Sequence, residues 1–307
     1  EMCGRDWSSD VCSSDLGFAG VSETALGAQQ VSAACAEFLN SAKPGVYFSS
    51  ACPVCVDYIS RYKPEFKKFI VPYSSPALTH AELLKQTYGP DIKVVFIGPC
   101  IAKKNESDTQ EDLISAAITF EELKKWLFEE GIDLLNSPQG EEGFVPEKSS
   151  DGAVYPLEGG MLRSMRRNGL KEDVNLITVT GLKNFCRTLD SLKEQAVDRV
   201  CFVETLACPG GCIKGPCPGG EVSALNAFLG VEKQFDSSIP PVMTAKYKVP
   251  LAFGGDEAPE KKFTEDEILS ALAKVGKFTV DDEINCDGCG YNTCRNFAHA
   301  LLEGKAE

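Results

Sequence analysis

Thiol sulfur is the reactive atom this sequence supplies most freely. Fourteen of the 307 residues are cysteine, against two histidines, His80 and His299. Histidine-rich zinc sites and facial-triad iron sites therefore lack raw material. Several cysteines stand in ligand-like settings. Cys208-Pro209-Gly210-Gly211-Cys212 is a C-x-x-x-C step with two internal glycines, followed by Gly215 and Gly219-Gly220. Cys286, Cys289 and Cys294 form a second run, and Cys52 and Cys100 each follow an apolar stretch and adjoin a proline. Glycines let the backbone close on an object and turn its N–H groups inward, as a cluster carrying negative sulfides requires. Soft thiolate ligation points to iron–sulfur chemistry or an all-cysteine zinc site.

Composition narrows the classes of protein. A 33.2 kDa chain with 43% hydrophobic residues can build a real core without disulfide staples. The net charge of −14 argues against a general nucleic-acid binder, because phosphate affinity needs clustered cations. No run approaches the ~18–20 apolar residues of a membrane span, and no basic segment followed by an apolar stretch opens the chain. A cytoplasmic protein away from membranes is the expectation.

The elements that must position these thiols follow from periodicity. Apolar residues at Ala25, Val31, Cys35, Phe38 and Leu39 predict a helix that ends before Pro44-Gly45. Three short apolar runs, Val46–Phe48, Val94–Ile97 and Val200–Val203, read as buried strands, each leading into a cysteine: Cys52, Cys100 and Cys208. Thr119-Phe120-Glu121-Glu122 reads as a capping box, and Leu182–Leu192 has helical spacing. Strands alternating with helices imply an α/β fold, in which ligands gather beyond the carboxyl ends of the strands. One cysteine after a strand is an ordinary buried hydrophobe; three, each flanked by Pro or Gly, indicate a site.

Both ends of the chain read differently. Residues 1–20 contain Ser-Ser-Asp twice without any period and resemble a translated sequencing adapter. They are set aside as a non-native or disordered segment, Cys3 and Cys12 with them. Residues 236–262, with Pro240-Pro241, Gly254-Gly255 and Pro259, read as a linker. A small, mostly helical module follows over 263–307, opened by a capping box at Thr264–Glu267 and closed by an amphipathic helix over Phe297–Leu302.

Three segments in order, Ser49–Pro53, Gly98–Glu106 and Glu204–Cys212, resemble the signature segments of iron-only, or [FeFe], hydrogenases, over residues 21–235. The resemblance implies a two-lobed α/β active-site domain around the H-cluster. That cofactor is a [4Fe-4S] cube joined through one cysteine sulfur to a diiron unit with carbonyl, cyanide and azadithiolate ligands. Matching positions make Cys52, Cys100, Cys208 and Cys212 the cube's ligands, with Cys212 as the bridge, and place Lys103 against a cyanide. Ser75 is counted among the cofactor-binding residues. Cys286, Cys289 and Cys294 resemble the four-cysteine [4Fe-4S] domain of electron-transfer proteins; the family's last cysteine lies farther downstream, so this additional cluster is expected to be incomplete in the chain.

Departures from the pattern bear on activity. Ala51 stands where hydrogenases carry a proton-passing cysteine, Gly98 and Leu206 replace methionines, and Pro216 interrupts a glycine triplet. Ala51 and Tyr155–Met161 resemble the sensory branch of the family, implying slow interconversion of H₂ with protons and electrons. Glu158 or Cys55 is the expected substitute proton carrier, through a carboxyl or thiol pKa raised by burial. Partners implied are the hydrogenase maturation enzymes, a ferredoxin-like electron carrier and a downstream signalling domain or kinase. The alternative is a non-catalytic iron–sulfur protein for electron transfer or cluster assembly.

Overall fold

Apolar spacing and local caps account for most elements of the computed structural model, which describes residues 16–132, 143–192, 197–218, 220, 223–254 and 262–306. The chain divides into two units, 1–256 and 257–307. In the first, α1 (Ala25–Ser41) buries Leu26, Val31, Cys35 and Leu39. It leads into β1 (Gly45–Phe48) and then α2 (Pro53–Tyr62), where Pro53 occupies the first turn and its missing N–H costs no helical bond. Helix α3 (Pro76–Tyr88) is capped by Ser75, whose hydroxyl accepts from the Leu78 N–H at 3.4 Å. Next come β2 (Val95–Gly98), α4 (Ala102–Thr109), β3 (Ala116–Thr119) and α5 (Phe120–Glu129). The predicted capping box forms: the Glu122 N–H donates to Thr119 Oγ1 at 3.2 Å and the Thr119 N–H to Glu122 Oε2 at 2.8 Å. Then follow α6 (Gly160–Arg167), β4 (Asn175–Thr180), α7 (Leu182–Ser191), β5 (Val200–Leu206) and α8 (Ala224–Glu232).

The strands form two parallel sheets. One has the order β1-β5-β4, with Gly45 opposite Val200 and Phe48 opposite Val203; the other pairs β2 with β3. Strand β5 is central and buried, and apolar clusters cover both of its faces. Phe202 packs with Leu39, Val71, Met161 and Met165, while Val203 and Cys201 pack with Phe48, Ile59, Phe185 and Leu189. Parallel strands covered on both faces are what the unbroken apolar runs predicted. The three runs that lead to cysteines fall in both sheets, β1 and β5 in one and β2 in the other.

Two segments differ from the sequence reading. Of residues 1–20, those from 16 onward belong to the first unit: the Phe18 ring meets Trp126 edge-on at 5.9 Å. Residues 1–15, with Cys3 and Cys12, lie outside the described residues. The stretch read as a linker from 236 runs along the first unit as far as 254. Ala245 is buried, its N–H donates to Glu37 Oε1 at 2.8 Å, and Tyr73 pairs with Pro250. Proline and glycine set the local conformation of this strap, and tertiary hydrogen bonds hold it down.

In the second unit, α9 (Glu265–Lys274) packs on α10 (Cys294–Leu302) through Ile268, Ala271, Leu272, Cys294 and Ala298. The Thr264 box closes as predicted, with the Glu267 N–H donating to Thr264 Oγ1 at 3.3 Å. Among the described residues, no helix is long and apolar enough to cross a membrane.

Candidate metal centre

Four cysteines arrive at one place from the carboxyl ends of three strands. Cys52 caps α2 after β1, Cys100 lies between β2 and α4, and Cys208 and Cys212 follow β5. They are near enough for charge on one to act on another: charge on Cys52, Cys100 and Cys208 acts on Cys212, and charge on Cys52 and Cys100 acts on Cys208. The loops are also joined through backbone. The Cys217 N–H donates to the Pro99 carbonyl at 3.2 Å and the Ile213 N–H to that of Pro156 at 3.2 Å. Gly211 has φ +90, and a Cβ there would lie 2.5 Å from the Pro156 carbonyl oxygen; only glycine allows the loop to turn this tightly.

Burial sets the thiols' acidity, with one exception. Desolvation raises Cys100 and Cys208, and it pushes Cys212 up to about 12, helped by the three neighbouring sulfurs and opposed by Lys103. Cys52 is instead lowered to about 6, because the Cys55 thiol and the backbone N–H groups of Ala207, Cys55 and Val54 hydrogen-bond its sulfur against the pull of burial. For Cys100, Cys208 and Cys212 to ionise beside Cys52, a compensating cation is needed, which ferric and ferrous iron supply. Ser50, beside Ala51 and Cys52, has a buried hydroxyl without a protein partner, an orphan suited to a bound polar group. Among the described residues no three His, Cys, Asp or Glu side chains close around a single ion. A cube in which each sulfur holds a different iron needs a wider cage than one ion does. Four thiols are the donor chemistry that an iron–sulfur cube takes.

Lys103 is 8% exposed and ion-paired with Glu106 Oε2, which also accepts from Ser75 Oγ at 2.9 Å. The lysine sits one α4 turn from Cys100, and its charge is felt at both Cys100 and Cys212. Ser75 thus reaches the site through Glu106. Cys55 is buried and its pKa lies well above the ordinary thiol value, chiefly because it donates to Cys52; Thr205 is its other hydrogen-bond partner. Thr205 in turn meets Ser49, its N–H donating to Ser49 Oγ at 2.9 Å with the two hydroxyl oxygens 3.2 Å apart. Glu158 departs from the expectation of burial. It is exposed and lines an open depression with Thr178, Thr180, Asn184 and Arg187, so water solvates its carboxylate.

Two acids escaped the sequence reading. Glu106 lies inside the Gly98–Glu106 segment and fixes Lys103. Glu204, on β5, is 1% exposed and accepts from the Gly159 N–H at 2.8 Å, the Met161 N–H at 3.0 Å and Thr178 Oγ1 at 2.9 Å. It thereby pins the start of α6, next to the Pro156–Glu158 loop that receives Gly211; burial raises its pKa above the carboxylate norm. An acid inside the apolar run Val200–Leu206 was the available signal.

In the second unit, Cys286 and Cys289 are exposed on a loop in which Asn285 and Asp287 take left-handed φ of 47 and 59, whereas Cys294 is buried at the start of α10. The Cys294 N–H donates to Asn285 Oδ1 at 2.8 Å, tying the loop to the helix.

The first unit has the fold of a hydrogenase active-site domain, as the comparisons show. Residues 11–216 match the family "Iron only hydrogenase large subunit, C-terminal domain", and the chain belongs to that family. The matched span opens within the stretch set aside at the N-terminus. Residues 282–307 match an Fe-S cluster family. The "Periplasmic [Fe] hydrogenase large subunit" of Nitratidesulfovibrio vulgaris is 29% identical over 220 residues, covering 57% of this chain and 51% of that protein. "Iron hydrogenase 1" of Clostridium pasteurianum is 27% identical over 218 residues, covering 56% and 38% respectively. The chain thus spans about half or less of these relatives. A variant of the [FeFe]-hydrogenase HydA1 from Chlamydomonas reinhardtii superposes with a TM-score of 0.56 at 18% identity, covering 76% of this chain and 77% of that one, which shows a shared fold.

Proposed function

We propose that the chain is the active-site domain of a sensory-type iron-only hydrogenase that slowly interconverts H₂ with protons and electrons. The observation that carries this reading is the convergence of four cysteines from two sheets beside a buried lysine. Cys52, Cys100, Cys208 and Cys212 would hold the [4Fe-4S] part of an H-cluster, Cys212 would also serve its diiron part, and Lys103 would offer that part a hydrogen-bond donor. When bound, that group supplies the site at which protons and electrons combine.

The chain's own residues then set the pace. Ala51 has no exchangeable proton, so the usual relay is missing. Cys55 holds a proton on Sγ, hydrogen-bonded to Cys52, with the Thr205 and Ser49 hydroxyls behind it. This favours Cys55 over the solvated Glu158 as carrier. Lys103 offers a cation whose position is fixed by Glu106 and Ser75. Cys286, Cys289 and Cys294 would supply three of the four ligands of a second [4Fe-4S] cluster that passes electrons or a redox signal onward. The reading implies maturation enzymes, a ferredoxin-like electron carrier, a downstream signalling domain or kinase, and an anaerobic cytoplasm.

Infrared spectroscopy after maturation tests the proposal. Bands of iron-bound carbonyl and cyanide are expected; a cubane signal without them would make the protein a non-catalytic iron–sulfur carrier. Turnover should fall more in Cys55→Ser than in Glu158→Ala, and equal activity in both variants and the native chain would rule out this relay.

A further inference from the structure

The two cysteines that open α2 supply more than ligation requires. Of the pair, the proposed cluster needs only Cys52. Cys55 lies three residues on and 1% exposed, its thiol donating to the Cys52 sulfur. Cys52 is half-buried at the N-cap with extended backbone (φ −94, ψ 110), and Pro53 fixes the turn between them. The arrangement is strand, C-x-x-C, helix: a form in which the first sulfur is open to attack and the second is placed to resolve it. Residues three apart on a helical turn have α-carbons about 5 Å apart, within the range a disulfide bridges.

We infer that, whenever the cluster is absent, Cys52 and Cys55 form a reversible disulfide that withholds one of the four ligands and makes cluster assembly depend on thiol redox state. The inference rests on the reading of Cys52 as a ligand. The oxidant is a small-molecule disulfide such as glutathione disulfide. The Cys52 thiolate attacks it, breaking its S–S bond and releasing one glutathione. The Cys55 sulfur then attacks the mixed disulfide, forming the Cys52–Cys55 bond and releasing a second glutathione. Two electrons pass from the protein pair to the small disulfide, and the two thiol protons pass to the released glutathiones. Iron bound at Cys52 blocks the first step, so the loaded site is protected. Cys186, whose charge also acts on Cys55, is the rival partner.

The test uses the full chain carrying Cys286→Ser and Cys289→Ser, so that the first unit alone is scored for iron. The cluster-free protein is held anaerobically in reduced and oxidised glutathione, its free thiols are alkylated, and its peptides are mapped. It is then offered ferrous iron and sulfide. The expected result is an internal disulfide in the peptide spanning Cys52 and Cys55, loss of iron uptake in the oxidised sample, and full recovery with dithiothreitol. Cys55→Ser should instead trap Cys52 as a mixed disulfide with glutathione; should that variant not fold, the peptide map of the parent chain decides alone. A Cys55–Cys186 bond, or free thiols at both Cys52 and Cys55, overturns the inference, and because mapping needs no metal it leaves the hydrogenase reading untouched. A Cys52–Cys55 disulfide with undiminished iron uptake also overturns it, and counts against Cys52 as a ligand.

Discussion

The two units hold their cysteines in opposite ways. In the first, Cys52, Cys100, Cys208 and Cys212 follow parallel strands, and backbone N–H groups, a lysine and tight glycine loops surround them. In the second, Cys286 and Cys289 stand exposed on one loop, and Cys294 is part of a small apolar core. A site assembled from distant strands is prepared by the fold itself; a site on a single loop depends on its metal for order. This difference predicts behaviours that diverge between the units.

The largest divergence should be in thiol reactivity. In the cluster-free chain under reducing conditions, Cys286 and Cys289 should alkylate faster than Cys35 and Cys55 by on the order of 10³-fold or more, because burial removes both access and thiolate. Site-resolved mass spectrometry of a brief iodoacetamide pulse gives the ratio, and comparable rates would dissolve the contrast. Acid should also act on the first unit selectively. Burial lowers His80 from an ordinary 6.5 to about 4. Between those values the unfolded chain binds the proton more readily, so stability is complete above the upper value, falls as pH drops from the upper value to the lower, and levels off below it, ~3 kcal/mol being lost in all. His80→Gln should flatten that part of the profile in chemical unfolding; an unchanged slope would show that other groups cause it.

Glu204→Ala leaves the Gly159 and Met161 N–H groups unpaired and should destabilise the first unit by about 2–3 kcal/mol, with Glu204→Gln intermediate. The smallest effect belongs to the second unit: Thr264→Ala removes one half of a capping box and should lower its stability by about 1 kcal/mol without changing unfolding of the first. A loss spread over both units would mean that they do not unfold separately.

Local chemistry explains what could be read in advance. Both capping boxes, the strands that end at Cys52, Cys100 and Cys208, and the helix over Leu182–Ser191 follow from periodicity and from side chains that bond their own backbone. Strand β4 was missed because half of Asn175–Thr180 is polar, and β3 because Ala116–Thr119 is short and weakly apolar; pairing with β5 and β2 makes them strands. The strap over 236–254 was misread because its anchors, Glu37 and Tyr73, are remote in sequence. At the site, spacing revealed the sulfurs. It could not reveal that Glu106 would fix Lys103 or that Glu204 would brace the α6 start, since both roles arise only when the loops converge.

If the proposed function holds, Cys52, Cys100, Cys208 and Cys212 together grip one inorganic core. Mössbauer spectroscopy of the ⁵⁷Fe-reconstituted chain, with Cys286 and Cys289 replaced by serine, tests it directly. The expected spectrum is that of one cubane per chain, abolished when any one of those four residues is changed to alanine. A cubane that survives the removal of one of them, or a site that takes up zinc and no iron, would contradict it.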